Sequence, residues 1–100
     1  MTVTITNEGN KTNVVIDGRI DTATAGEFQE AVAPLMTGEK PDIEIDCNTL
    51  SYTSSLGLRM FLMLQKSVQG RGGNLVLKNM QPSVREVFDI TGFSNIIKIQ

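Results

Sequence analysis

Two adjacent hydroxyls, Ser54 and Ser55, stand between a strand-like run and an apolar helical run in "LSYTSSLGLRMFL". Serine at such a junction has two available chemistries. Its hydroxyl can accept a backbone N–H from the first turn of the helix and so cap it. Left free, the hydroxyl can carry a phosphoryl group, which a helix N-terminus welcomes through its unpaired N–H groups and dipole. Neither serine is followed three residues later by Glu or Gln, so no capping box assists. Two carboxylates, Asp21 and Asp46, also fall just after strand-like runs. Acidic residues near helix starts complement the dipole, and a phosphate added among them would make the surface strongly negative. Arg59 lies one turn into the helix and reads as a solvated position or as a contact to a partner or a phosphate.

Other chemistries are absent from the 100 residues. There is no histidine, which removes Ser–His and Cys–His nucleophilic pairs and any imidazole base. No Cys/His spacing fits a metal, and no cofactor is implied. "GRGGN" lacks the Lys-Ser/Thr of a phosphate-binding loop and precedes a strand, so it is a turn. Cys47 is the only cysteine, which excludes an internal disulfide and fits a reducing compartment. Its place in a strand-like run marks it as a half-buried residue rather than a nucleophile. A net charge of −2 without a basic block argues against nucleic acid. The apolar run "LRMFLML" is too short to span a bilayer, and "MTVTITNEGN" has no signal-peptide pattern. No membrane contact is expected, and the cytoplasm is the expected compartment.

The elements that must position these groups follow from periodicity. Val3 and Ile5, then Val14 and Ile16, alternate around "NEGN" as in a half-buried hairpin. Ala25, Phe28, Val32, Leu35 and Met36 recur at helical spacing, with Asp21 or Thr22 as the cap and Pro34 forcing a kink or an early end. "DIEIDC" reads as a strand, and "NTLSYTS" leads from it to the next helix. A second helix carries Gly57, Met60, Phe61, Leu64 and Val68 on one stripe, until "GRGG" stops it. "NLVLKN" is a strand, "QPSVREVFDITG" a helix with Pro at its start and Gly at its end, and "SNIIKIQ" a last strand. Repeated strand–helix–strand units predict an α/β fold: a mixed, mostly parallel sheet of about five strands with three main helices on one face. The other face is left uncovered unless the hairpin curls over it. Asp21, Asp46, Ser54 and Ser55 should gather at the common edge where the parallel strands end. Leu56, Leu58, Met60 and Phe61 cannot all point inward, and Leu56 is expected at the surface beside Ser55.

Four blocks in this order resemble the STAS domain family, and within it the bacterial anti-sigma factor antagonists: "VVIDGRIDTATAGEF", "IEIDCNTLSYTSSLGLRMFL", "GGNLVLKNMQPSVREVFDITG" and "FSNII". The resemblance covers nearly the whole chain and implies one STAS domain over residues 1–100. It further implies a non-enzymatic role in partner switching, in which the unphosphorylated antagonist captures an anti-sigma factor that is also a serine kinase of the GHKL ATPase type. Phosphorylation prevents that capture and a serine phosphatase reverses it. The family's loop reads Asp-Ser-x-Gly. Aligned on Gly57, Ser55 takes the phospho-acceptor place, ahead of Ser54, which stands where the family has Asp. The implied partner surface comprises Asp21, Thr22 and Asp46 with Thr53, Ser54, Ser55, Leu56, Gly57 and Arg59. STAS domains also occur in sensors and transporters, so a small-molecule or nucleotide-binding regulatory module is the alternative reading.

Overall fold

The computed structural model describes residues 1–100. Strand β1 (Thr2–Glu8) turns back into β2 (Lys11–Ile20) through Gly9 and Asn10. Gly9 holds φ +60°, the left-handed value that the first position of a type II′ hairpin loop needs. Helix α1 (Ala25–Val32) gives way at Pro34 to a 3₁₀ turn over Ala33–Met36, so the helix does end early. Then follow β3 (Asp42–Asp46), β4 (Leu50–Thr53), α2 (Ser55–Gly70), β5 (Asn74–Lys78), α3 (Pro82–Ile90), a 3₁₀ turn at Phe93–Asn95, and β6 (Lys98–Ile99).

The strands lie in the order β1-β2-β3-β5-β6, with β1 antiparallel to β2 and the remaining pairs parallel. Because this is also the chain order, each right-handed crossover lays its helix on the same side. Val14, Ile16, Ile43, Ile45, Leu75 and Leu77 point to that side and are buried. One phenylalanine from each helix completes the core. Phe61 of α2 sits between Phe28 of α1, at a ring separation of 5.2 Å, and Phe88 of α3, at 5.6 Å. Both pairs are tilted, as aromatic quadrupoles prefer.

The hairpin does not curl over the other side. β1 stays in the sheet as an edge strand, and the helix-free face is polar. Glu44 projects from it between Ile43 and Ile45 and pairs with both Lys11 and Lys78. Those ammonium groups hold its carboxyl below the usual range. No helix is long and apolar enough to cross a membrane.

Three expectations need correction. The sheet has six strands, not five, because part of "NTLSYTS" forms β4, which pairs in parallel with the far end of β2. Its four residues are buried, exposed, exposed and buried, so the alternation that marks a strand is missing. The last strand is only two residues long, since Phe93–Asn95 has turned into 3₁₀ helix. Cys47 is not half-buried but fully enclosed.

Two packing devices fix α2. At its start Gly57 presses against the sheet, where an added Cβ would lie 2.8 Å from Ile20 Cγ2 and closer still to Thr53 Oγ1. At its end Arg71 donates Nη1–H to the Thr37 carbonyl (2.6 Å) and Nη2–H to that of Leu35 (2.7 Å). Its Nε–H goes to the Ser67 carbonyl (3.1 Å). The guanidinium therefore ties the 3₁₀ turn after α1 to the last turn of α2 through neutral oxygens alone.

Both devices can be tested by urea denaturation. Gly57→Ala should destabilise by about 3 kcal/mol, because the contacts there are already closed. Gly26→Ala, on an open surface of α1, should instead stabilise by roughly 0.5–1 kcal/mol. Arg71→Lys should cost about 2 kcal/mol, since one ammonium cannot reproduce the planar fork.

Candidate functional site

The C-terminal ends of β2 and β4 lie side by side. Ile20 is in register with Thr53, and the Ser54 N–H donates to the Ile20 carbonyl at 2.7 Å. That bond sets the mouth of α1 next to the start of α2. Asp21, Thr22, Ser54 and Ser55 are therefore neighbours, as the parallel topology requires.

The two serines divide the work. Ser54 is the N-cap, with extended backbone, and its Oγ accepts the Gly57 N–H at 3.3 Å. Ser55 is the first helical residue; its side chain is exposed and its hydroxyl has no partner within the chain. Leu56 beside it is 38% exposed, whereas Leu58 is 6% and Phe61 fully buried. Two of the implied surface residues are not surface at all. Thr53 and Gly57 are buried, and they seat the helix. Arg59 is exposed one turn after Ser55, on the same flank of α2, and forms no ion pair.

Across the junction, Asp21 works as a local cap. Its Oδ1 accepts the N–H groups of Ala23 (3.0 Å) and Thr24 (3.1 Å). The Thr24 N–H in particular holds the carboxyl below its usual range. It is therefore a standing negative charge at the mouth of α1. Thr22 is exposed and takes no part in this cap. The residue at the N-cap position itself, Thr24, caps with no side-chain bond, and its hydroxyl donates instead to the Arg19 carbonyl at 2.7 Å.

Asp46 is not brought to this group. It pairs in register with Val15, five residues before the Ile20–Thr53 pair. At the usual strand rise that is about 16 Å back along β2. Its carboxylate accepts the Asn48 N–H at 2.9 Å, within a separate turn that Gln81 of α3's entry also joins by bonding the Asn48 carbonyl. Cys47 next to it is inert: burial above all, with Asp46 beside it, pushes its thiol up to about 12.

Two residues that sequence reasoning passed over adjoin the serine loop. The Arg19 guanidinium lies 4.5 Å over the exposed Tyr52 ring, and its Nε is 4.0 Å from Asp21 Oδ2. Only the pairing of β2 with β4 joins them, and β4 lacks a strand signature. The surface running from Tyr52 through Arg19 and Asp21 to Ser55 and Leu56 is a mixture of charge, hydroxyl and apolar area suited to a protein partner. The concavities lie elsewhere. The largest, about 450 Å³, is lined by Asn10, Thr12 and Thr37 through Asp42, at the opposite ends of the strands, and has no hydrophobic lining residue.

Comparison with known proteins agrees with this architecture. Residues 3–98 match the family model described as Mlab, STAS domain. The anti-sigma-B factor antagonist of Bacillus subtilis is 37% identical over 90 residues, covering 90% of this chain and 82% of that protein. A solved anti-sigma-factor antagonist (STAS) domain protein from Planctomyces limnophilus superposes with a TM-score of 0.87 at 16% identity, over 98% of this chain and 87% of that one. The Bacillus cell fate determinant SpoIIAA in its phosphorylated form does so with a TM-score of 0.74 at 17% identity, over 99% and 91%. At such identities the two structures speak for the fold, and the sequence matches speak for kinship. The chain belongs to the STAS domain family, alongside its anti-sigma factor antagonists.

Proposed function

We propose that this protein is an anti-sigma factor antagonist, which binds an anti-sigma factor in a partner-switching pathway and is released by phosphorylation of Ser55. The observation that carries this reading is the division of labour at the start of α2. The Ser54 hydroxyl is spent on the cap, while the Ser55 hydroxyl is exposed and uncommitted beside Leu56 and Asp21. Serine in place of the family's aspartate at position 54 fits the same scheme, because both are good N-caps. Asp21, Thr22, Leu56 and Arg59 would touch the partner, with Thr53, Ser54 and Gly57 holding the surface in shape. Asp46 would meet only a partner broad enough to reach its separate turn.

On this reading the protein is a ligand and a substrate rather than an enzyme, and works in the cytoplasm. Its partner carries the catalytic machinery, as a serine kinase of the GHKL ATPase type, and a serine phosphatase returns the antagonist to its binding form. A phosphate on Ser55 would add close to two negative charges next to Asp21, whose carboxyl is already ionised. Repulsion of an acidic partner surface and loss of the Leu56 contact would follow. The largest concavity, polar and open, gives no support to a small-molecule module, which calls for an enclosed and mostly apolar pocket.

Incubation with the cognate kinase and ATP should add one phosphate, read by intact-mass spectrometry. Ser55→Ala should abolish the addition and Ser54→Ala should leave most of it. The reverse pattern, or no addition to the wild type, would reject Ser55 as the acceptor. Ser55→Asp should weaken capture of the anti-sigma factor about thirtyfold, on the order of 2 kcal/mol, in a calorimetric titration. Its urea midpoint should stay within error of the wild type, because the cap belongs to Ser54.

A further inference from the structure

The two edges of the sheet differ. One ends in β6, a strand of two residues that offers little backbone to pair with. The other is β1, seven residues long, joined to the sheet only through β2 and with its outer row of N–H and C=O groups unpaired. Proteins blunt such edges with lysine, proline or a bulge. Residues 2–6 of β1 read Thr-Val-Thr-Ile-Thr, with none of these devices and an unbroken register against β2. The first charge in the strand, Glu8, lies beyond this stretch and is opposite Lys11 within the hairpin.

We propose that β1 pairs with β1 of a second copy of this chain, in antiparallel register about a two-fold axis through Thr4. The stretch is complementary to itself. Thr2 then faces Thr6, Val3 faces Ile5 and Thr4 faces Thr4, so hydroxyls meet hydroxyls on the open face. On the helix side the half-buried Val3 and Ile5, already packed on the core, cover one another. Both are β-branched, the side chains that cross-strand pairing favours. No like charges are opposed within the five residues. The contact also closes on itself, because a two-fold operation uses up both long edges and leaves only the short strands β4 and β6 with an unpaired side. A head-to-tail array would need β1 to pair with β6, which is too short. The axis lies away from Ser55, since β1 joins β2 only up to Asp17 and the serine loop begins beyond Ile20. The two serine loops of the pair stay open.

Sedimentation equilibrium of the whole chain tests this. The wild type should show a reversible monomer–dimer equilibrium within the micromolar to submillimolar range, and Thr4→Lys should weaken it about tenfold or more, by opposing two ammonium groups across the axis. Thr4→Glu should do the same, and an equimolar mixture of the two variants should recover dimer. Circular dichroism of each variant, matching that of the wild type, separates lost pairing from lost folding. If the fold of Thr4→Lys fails, Thr4→Glu, which opposes two carboxylates across the same axis, replaces it in the same measurement. A wild type that stays monomeric throughout the range overturns the proposal. So does a dimer that either charged variant of Thr4 leaves at full strength, or a mixture that recovers nothing.

Discussion

Gly57 sits where α2 comes down on the sheet, and the missing side chain sets how near the helix can come. With hydrogen in place of a methyl group, the first turn of α2 rests directly on Ile20 and Thr53. The consequences spread outward from that contact. Phe61, one turn on, reaches the centre of the core and meets the rings of both flanking helices. Toward the helix start, the same closeness fixes the height at which Ser54 and Ser55 emerge. A helix held even 1 Å further out would leave Ser54 unable to stand in both the strand bond to Ile20 and the cap bond to Gly57. The surface that presents Ser55 is thus a by-product of core packing, anchored by a buried residue.

The far end of α2 is held in another way. Arg71 spends its donors on carbonyls of two segments that approach from different directions. Neutral oxygens let one planar group tie several backbone segments, at the cost of leaving the positive charge without a counter-ion. Between Gly57 and Arg71 the helix is clamped at both ends, which suits an element whose first residues must keep a constant shape.

Much of this was legible in the residues. Periods of two and of three to four located the hairpin, three further strands and all three helices, and divergence along a helix picked out Leu56 as the exposed member of its set. β4 escaped because two of its four residues face solvent and its partner is the tail of β2, a pairing visible only in three dimensions. Arg19 and Tyr52 carry no signal in the sequence for the same reason. In the sequence Asp46 groups with Asp21 because both follow strand-like runs. The strands end at different heights, however, since β2 runs five residues past the end of β3. Topology predicts which edge a residue occupies, and only register tells how far along it lies.

The order in which the strands lie has a bearing on how the chain is made. No strand of the β1-β2-β3-β5-β6 path has to be inserted between two that are already joined. A polypeptide leaving the ribosome can set down its hairpin and then extend the sheet at one margin, one strand–helix unit at a time. Along this path each new strand docks on the one that precedes it in the path, so sequence separations between joined strands stay modest. The last strand to reach the growing margin is the shortest in the molecule. Synthesis and assembly can therefore run in the same direction, with little time for a half-built sheet to meet another.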